Sequence, residues 1–185
     1  MLEVVPTALA DVRLIKPKRF GDDRGFFSET YNKRTFAEAG IGLDFVQDNH
    51  SRSARTGTVR GLHFQTAPFA QDKLVRVTRG RILDVAVDLR RGSPTFGHHV
   101  SVELSAANWT QLLVPIGFAH GFCTLEDDTE VIYKVTNYYS AEHDKGLAWD
   151  DPALGIEWPV DAADATLSDK DRRQPTLAAC ADAFP

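Results

Sequence analysis

Hydrophobic and polar residues alternate along several short segments of the chain. In RILDVAVDL (81–89), positions 83, 85, 87 and 89 are all Leu or Val, whereas aspartates stand at the intervening positions 84 and 88. The segments HVSVELS (99–105) and EVIYKVTNYY (130–139) show the same period of two. Because successive side chains of a β-strand point to opposite faces, this pattern predicts strands.

Turn-forming stretches such as RRGSP, SAANW, PIGF and LEDD separate these segments at the spacing typical of an all-β sandwich or barrel. Helix signals are confined to NKRTFAEAG, with Asn32 as candidate N-cap and Gly40 as candidate end, and to TLSDKDRRQP (166–175). No repeat or linker divides the chain. We therefore predict a single all-β domain over residues 1–185, a jelly roll with a few short helices and a peripheral tail at 176–185.

Charge and composition exclude several classes of protein. The formal net charge is −5 and the 21 Lys and Arg residues are scattered, which argues against a nucleic-acid partner. The chain has no run of eighteen apolar residues, and its first residues lack signal-peptide features, so we expect a cytoplasmic protein with no membrane partner. Cys123 and Cys180 fit no disulfide or metal pattern and are expected to be reduced thiols.

Two histidine motifs match those of cupin-type jelly rolls, but part of the usual metal-binding set is missing. In the first motif His63 follows Gly57 at the usual spacing, while Gln65 occupies the position of the second histidine. Lys73 stands before Gly80 where the motif has a glutamate. The second motif, Pro-x-Gly-x-x-His, is complete and ends at residue 120 (PIGFAH).

These replacements argue against a bound metal ion. A protonated lysine has no lone pair and repels a divalent cation, and His63 and His120 alone are too few ligands for an ordinary catalytic metal site. The remaining groups suit proton transfer next to a ketone. A histidine can remove the proton, Lys73 or His120 can hold the enolate oxygen, and Tyr133, on the apolar face of its strand, can supply a proton.

The order of nine motifs closely resembles the dTDP-4-dehydrorhamnose 3,5-epimerase family. They are FGDDRGFFSETYN, FVQDNHS, VRGLHFQ, KLVRVTRG, DVAVDLRRGSPTFG, PIGFAHGF, YKVTNYYS, GIEWP and LSDKD, and together they extend from about Asp11 to Pro175. The resemblance implies a homodimeric cupin-type jelly roll without metal or nucleotide cofactor. It also implies the reaction, inversion of C3 and C5 of dTDP-4-keto-6-deoxy-D-glucose to give dTDP-4-keto-L-rhamnose in dTDP-L-rhamnose biosynthesis.

The resemblance also assigns catalytic roles to individual positions. The base falls on His63 and its carboxylate partner on Asp171, which would orient the imidazole and raise its basicity. The acid falls on Tyr133, and the group that holds the enolate oxygen falls on Lys73. His120 is placed next to the sugar.

Nucleotide recognition is implied at a second set of positions. Arginines suit a diphosphate because their planar fork donates paired hydrogen bonds, and Tyr139 matches the residue that stacks on thymine. Asp144 stands where the family tends to have a glutamate. The complete set implied for substrate binding is Arg24, Glu29, Gln47, Asn49, Arg60, His120, Tyr139, Asp144 and Lys170.

One geometric question stays open at this level. In a straight strand Arg60 and His63 point to opposite faces. Either Gly61 introduces a bulge that brings both side chains to one site, or one of them reaches the site from a rim.

Three other functions and one mode of assembly are compatible with parts of the pattern. The functions are a single-site 3- or 5-epimerase of a related dTDP-sugar, a metal-dependent cupin, which Gln65 and Lys73 disfavour, and a non-catalytic sugar-nucleotide-binding module. For the dimer, the resemblance implies that the apolar segment VRLIKP (12–17) adds to a partner's sheet.

Overall fold

The computed structural model describes residues 2–185, and antiparallel β-strands form most of its regular structure. The strands are β1 (Glu3–Pro6), β2 (Arg13–Lys16), β3 (Phe20–Asp22), β4 (Gly25–Phe27), β5 (Gln47–Ser53), β6 (Val59–Gln65), β7 (Lys73–Arg79), β8 (Arg81–Asp88), β9 (His99–Ser105), β10 (Gln111–Val114), β11 (Phe118–Thr124), β12 (Thr129–Val135) and β13 (Asp144–Gly146). The helical elements are α1 (Lys33–Glu38) and the 3-10 turns Asp171–Arg173 and Leu177–Ala179.

The strands form two large sheets and one hairpin. The six-stranded sheet has the order β1-β2-β10-β7-β12-β5, the five-stranded sheet has the order β13-β6-β11-β8-β9, and β3 pairs with β4. Strands that are distant in sequence are neighbours in both sheets, as in a jelly roll. The predicted all-β jelly roll with a few short helices is confirmed.

An apolar core fills the space between the two sheets. Val75 and Val131 contribute to it from the six-stranded sheet, and Ile82, Ala86 and Phe118 from the five-stranded sheet. The other face of the five-stranded sheet is also covered, because Val85 and Val87 pack beneath segments from the C-terminal third of the chain. The alternation in β8 therefore marks two buried faces, and Asp84 and Asp88 have no exposed surface.

Helix α1 forms where the sequence predicts it. The Asn32 side-chain oxygen accepts hydrogen bonds from the backbone N–H groups of Arg34 and Thr35 at 3.0 and 3.2 Å, and Phe36 is buried. In TLSDKDRRQP only the 3-10 turn at Asp171–Arg173 forms. Within residues 2–185, none of the helices has the length and apolar character of a membrane span.

The chain ends pack against the two sheets in different ways. Strand β2 is hydrogen-bonded on both sides, to β1 and to β10, so the VRLIKP segment is not free to add to a partner's sheet in this arrangement. The edges of its sheet are β1 and β5. In residues 176–185, Cys180 is buried and the Phe184 ring lies 5.7 Å from that of Phe64.

Candidate active site

Two cavities lie side by side between the sheets, and His63, Lys73 and Tyr133 line both of them. We call the larger one, of about 270 Å³, the histidine cavity; it is also lined by Ser51, Arg60, His120, Phe122, Ser168 and Asp171. We call the smaller one, of about 150 Å³, the amide cavity; it is also lined by Gln47, Asn49, Phe64, Gln65, Gln71, Tyr139 and Asp144. The three shared side chains therefore face both spaces.

The candidate catalytic residues come from both sheets. His63 on β6 is the register partner of His120 on β11, in the five-stranded sheet. Lys73 on β7 and Tyr133 on β12 belong to the six-stranded sheet. The structure thus brings together four residues that are far apart in the sequence.

His63 and Asp171 form a tight pair. His63 Nε2 lies 2.5 Å from Asp171 Oδ1, and Ser168 Oγ donates to Asp171 Oδ2 at 2.8 Å. Asp171 is buried rather than a solvated charge at a helix end. Burial raises the pKa of its carboxyl, but the hydrogen bonds and charge of His63, together with Ser168, outweigh this effect and lower the pKa overall.

Lys73 is a buried lysine whose pKa burial lowers to about 8. The negative charges of Asp144 and Asp84 oppose this shift, and the positive charge of Lys170 adds to it. Its Nζ donates to the backbone oxygen of His63 at 3.2 Å. The ammonium group is therefore held between the sheets, beside the histidine.

Tyr133 is largely buried, and burial raises the pKa of its phenol. Its neighbours on the same face of β12, Val131 and Val135, belong to the protein interior, as the alternation predicts. A phenol with a raised pKa keeps its proton at neutral pH and is suited to donate it.

Asp84 is a site residue that the sequence reasoning left without a role. Its Oδ1 lies 2.6 Å from His120 Nε2, it has no exposed surface, and its Oδ2 has no hydrogen-bond partner within residues 2–185. The signal was present in the sequence, because a carboxylate between Ile82 and Ala86 on an interior face needs a partner. Asp84 thereby fixes the His120 ring, as Asp171 fixes the His63 ring.

The open question about Arg60 is resolved by a bulge in β6. His63 is opposite His120, but Arg60 is opposite Phe122, so β6 contains one residue more than β11 between these pairs. Gly61 has φ +124°, and a Cβ atom there would lie 2.6 Å from Gly121 Cα. The extra residue brings Arg60 and His63 to the same cavity, where Arg60 Nε donates to Ser53 Oγ at 3.1 Å.

Five of the residues expected to bind the nucleotide lie together around the amide cavity. Asp144 Oδ2 accepts from Tyr139 Oη at 3.1 Å and from Lys170 Nζ at 2.5 Å. Gln47 Oε1 accepts from the Tyr139 backbone N–H at 3.1 Å, and Gln47 Nε2 donates to Asn49 Oδ1 at 2.9 Å. Gln65 and Gln71, which the sequence reasoning did not assign to the substrate, line the same cavity.

Arg24 and Glu29 are not part of this group. Arg24 lies at the tip of the β3–β4 hairpin with its side chain 89% exposed and paired with Asp22. Glu29 lines a separate surface pocket next to Lys18 and Phe20. Within one chain, neither side chain lines the histidine cavity or the amide cavity.

Three pairs of ionisable side chains lie around the cavities: His63 with Asp171, His120 with Asp84, and Lys170 with Asp144. Within residues 2–185, no three His, Cys, Asp or Glu side chains come close enough together to hold a metal ion. The arrangement offers an imidazole, an ammonium and a phenol around one space, which is a set suited to moving protons.

Comparison with known proteins identifies close relatives over most of the chain. Residues 6–179 match the family model described as dTDP-4-dehydrorhamnose 3,5-epimerase. A protein of that name from Sinorhizobium fredii is 59% identical over 170 residues, which are 92% of this chain and 87% of the relative.

Solved structures of the same kind superpose closely. The epimerase from Bacillus anthracis, with TDP and PPi bound, is 55% identical with a TM-score of 0.92, covering 95% of this chain and 99% of that one. The epimerase from Legionella pneumophila, in complex with dTDP-4-keto-L-rhamnose, is 43% identical with a TM-score of 0.92, covering 97% and 94%.

Proposed function

Because the chain belongs to the dTDP-4-dehydrorhamnose 3,5-epimerase family, we propose that it inverts C3 and C5 of dTDP-4-keto-6-deoxy-D-glucose. The product is dTDP-4-keto-L-rhamnose, in dTDP-L-rhamnose biosynthesis, and the reaction uses no cofactor. The observation that carries the proposal is that His63, Lys73 and Tyr133 converge from two facing sheets on the same pair of cavities. The product complex of the Legionella relative supports the same substrate class.

His63 is the base in this proposal. Its Nε2–H donates to Asp171, which leaves Nδ1 with a lone pair toward the substrate. Nδ1 takes the proton from the carbon next to the C4 ketone, and the electron pair of the C–H bond moves onto the C4 oxygen. Asp171 stabilises the imidazolium that forms.

Lys73 and Tyr133 complete the step. The Lys73 ammonium stabilises the enolate oxygen, and the Tyr133 phenol returns a proton to carbon on the opposite face. Each inversion leaves a protonated histidine and a phenolate, and exchange with solvent restores both before the second carbon reacts. His120, held by Asp84, lies next to the sugar.

The amide cavity takes the nucleotide in this proposal. Tyr139 stacks on thymine and Gln47 and Asn49 contact the nucleotide there, while Arg60, which lines the adjoining histidine cavity, binds the diphosphate. Asp144 lines the same cavity and is paired with Lys170.

We also propose a cytoplasmic homodimer in which the β3–β4 hairpin serves a partner's cavity. Arg24 and Glu29 line neither cavity of their own chain, while Phe20, Phe26 and Phe27 on that hairpin are at least half exposed. A hairpin that exposes three phenylalanines and carries Arg24 away from its own site fits a neighbouring copy.

The reaction is tested by proton NMR of dTDP-4-keto-6-deoxyglucose with the enzyme in deuterium oxide. We expect loss of the ring protons at both C3 and C5. His63→Asn should abolish both losses, whereas His98→Asn, at an exposed histidine outside the site, should leave them unchanged. Loss at one carbon only would make the protein a single-site epimerase, and loss at neither would leave a binding module.

The dimer is tested by complementation. Arg24→Ala and His63→Asn chains are each expected to be impaired. If the hairpin acts on the partner, a mixed dimer contains one site with intact His63 and intact Arg24, so mixing after subunit exchange should restore activity. No recovery, or sedimentation as a monomer at micromolar concentration, would refute this arrangement.

A further inference from the structure

Two loops form the rim of the amide cavity, and one buried side chain joins them. We call residues 66–72, between β6 and β7, and residues 136–143, between β12 and β13, the rim loops. Gln65, the last residue of β6, is 4% exposed. Its Nε2 donates to Phe69 O in the first loop at 2.6 Å and to Tyr138 O in the second at 3.1 Å.

The same side chain also receives a hydrogen bond from the second loop. Gln65 Oε1 accepts from the Ser140 backbone N–H at 2.7 Å, so the backbone is fixed on both sides of Tyr139. Both amide hydrogens and one oxygen lone pair of Gln65 are thus used inside the protein. The polar groups of Gln65 are occupied by backbone, while the Tyr139 side chain between the two attachment points stays 60% exposed at the rim.

Amide groups make further links between the rim loops. Gln71 Nε2 donates to Asn137 O at 2.7 Å, and Asn137 Nδ2 donates to Pro68 O at 2.9 Å. Gln65 differs from these two residues in being buried beneath the loops and in attaching directly to both neighbours of Tyr139. Gln65 replaces the second histidine of the first cupin motif, and the proposed reaction gives this residue no role.

We propose that Gln65 is a positioning residue that sets the affinity for the nucleotide through Tyr139. Fixing the Tyr138–Ser140 backbone presents the exposed ring as a preformed stacking surface for the base, so binding does not have to order the loop. This inference rests on the proposed function, since it assumes that Tyr139 stacks on the nucleobase. It assigns to Gln65 no contact with the reacting atoms.

The first test compares Gln65→Leu with Thr124→Val. The leucine removes all three hydrogen bonds at similar volume. The control removes a buried hydroxyl that joins the loop backbone at Arg55 and Thr58, away from both cavities. We expect Gln65→Leu to raise the Kd for dTDP, measured by calorimetry, and KM by about tenfold, with kcat changed less than about threefold. The control should change neither Kd nor KM.

Two further variants exclude a general structural effect. In the double variant Gln65→Leu/Tyr139→Ala, Kd should be no higher than in Tyr139→Ala, because Gln65 acts through the ring. Gln65→Glu should bind dTDP weakly at neutral pH, where a carboxylate faces two carbonyl oxygens, and more tightly at acidic pH, where a protonated glutamate can donate.

Wild-type dTDP affinity in Gln65→Leu, or additive losses in the double variant, would overturn the proposal. An equal loss of kcat and affinity would overturn it as well. The wild-type exchange experiment decides the proposed function separately. If the wild-type enzyme exchanges both ring protons but Gln65→Leu binds dTDP normally, the proposed function stands and the role of Gln65 is rejected.

Discussion

Lys73 is the residue whose burial most clearly opposes stability. A folded-state pKa of about 8, below the ordinary lysine value of 10.5, means that the unfolded chain holds the proton more tightly than the folded chain. The penalty is complete below about pH 8 and disappears as the pH rises toward 10.5. The fold therefore retains a charged group where an apolar one would be more stable, as active sites often do.

Lys73→Met is predicted to increase stability and remove activity. The variant no longer buries an ammonium group, so its free energy of unfolding at pH 7 should rise by up to roughly 3 kcal/mol. Its kcat should fall about a hundredfold or more, because the enolate loses its counter-charge. Urea unfolding and turnover measure the two effects, with Lys16→Met as an exposed control. A less stable but active variant would contradict the prediction.

The pH dependence of kcat/KM should report the same lysine. Activity should decline as the pH rises through about 8, because the ammonium loses its proton. Asp144 raises the pKa of Lys73 and Lys170 lowers it, so Asp144→Asn should move the alkaline limb to lower pH and Lys170→Met to higher pH. Shifts in the same direction in both variants would assign the limb to another group.

Asp84 and Asp88 are a matched pair on β8, since both are fully buried. Asp84 contacts His120, whereas Asp88 accepts hydrogen bonds from Arg90, Ser93 and Thr95. Asp84→Asn should lower kcat/KM roughly tenfold with little loss of stability, because one of its oxygens already has no hydrogen-bond partner among the described residues. Asp88→Asn should lower the melting temperature and leave kcat/KM unchanged. The reverse outcome would make Asp84 a purely structural residue.

At the scale of elements, the bulge in β6 determines which side chains the site contains. One extra residue between Arg60 and His63 places both on the interior face, although their spacing in a regular strand would separate them. The bulge depends on Gly61, where the positive φ and the contact with β11 leave no space for a side chain.

Gly61→Ala is therefore predicted to destabilise the fold by more than roughly 2 kcal/mol and to displace Arg60. Gly92→Ala is the matched control, because a Cβ atom there meets nothing within 4 Å and the backbone needs no positive φ. Chemical denaturation compares the two variants. Equal stabilities would show that the bulge accommodates a Cβ atom at residue 61.

The features that the sequence predicted are those set by local interactions. The alternation of apolar and polar residues predicted the strands, and Asn32 as N-cap predicted the start of α1, because both signals depend on residues close together in the sequence. The interior position of Asp84 indicates that it needs a partner, but the identity of that partner, His120, and the direction of Arg60 were not predictable, since they depend on contacts with β11. The separation of Arg24 from the pocket likewise follows from how the hairpin packs, for example the 4.8 Å contact of Phe26 with Trp109.

At the scale of the whole molecule, the C-terminal segments cover the outer face of the five-stranded sheet. Cys180 and Leu154 lie in this layer, and Phe184 forms a backbone bridge with Arg90. The layer is attached through side-chain packing and few strand pairings. It is therefore expected to open before the sheets separate.

The two thiols can report this opening, because the layer covers both of them. Cys180 belongs to the layer, and Cys123, whose thiol pKa burial raises to about 11, packs from β11 against Trp149 and Ala165. In native protein both should resist a thiol reagent. In rising urea, both should react, as mapped by mass spectrometry, at lower concentrations than those at which the far-UV circular dichroism of the sheets is lost. Reaction only as the circular dichroism is lost would show that the outer layer and the sheets unfold as one unit.

Because the site is divided between two sheets, the apolar interior that stabilises the fold also sets the distance between the catalytic side chains. The proposed base stands on one sheet and the proposed acid on the other, and packed sheets lie about 10 Å apart at a distance that their interior side chains maintain. The apolar interior is thus a spacer that sets the gap a sugar ring must fill. A smaller side chain at Val131, two residues from Tyr133, is therefore expected to change the position of the phenol without altering any polar atom. Apolar packing thus helps to determine which face of the sugar ring receives the proton.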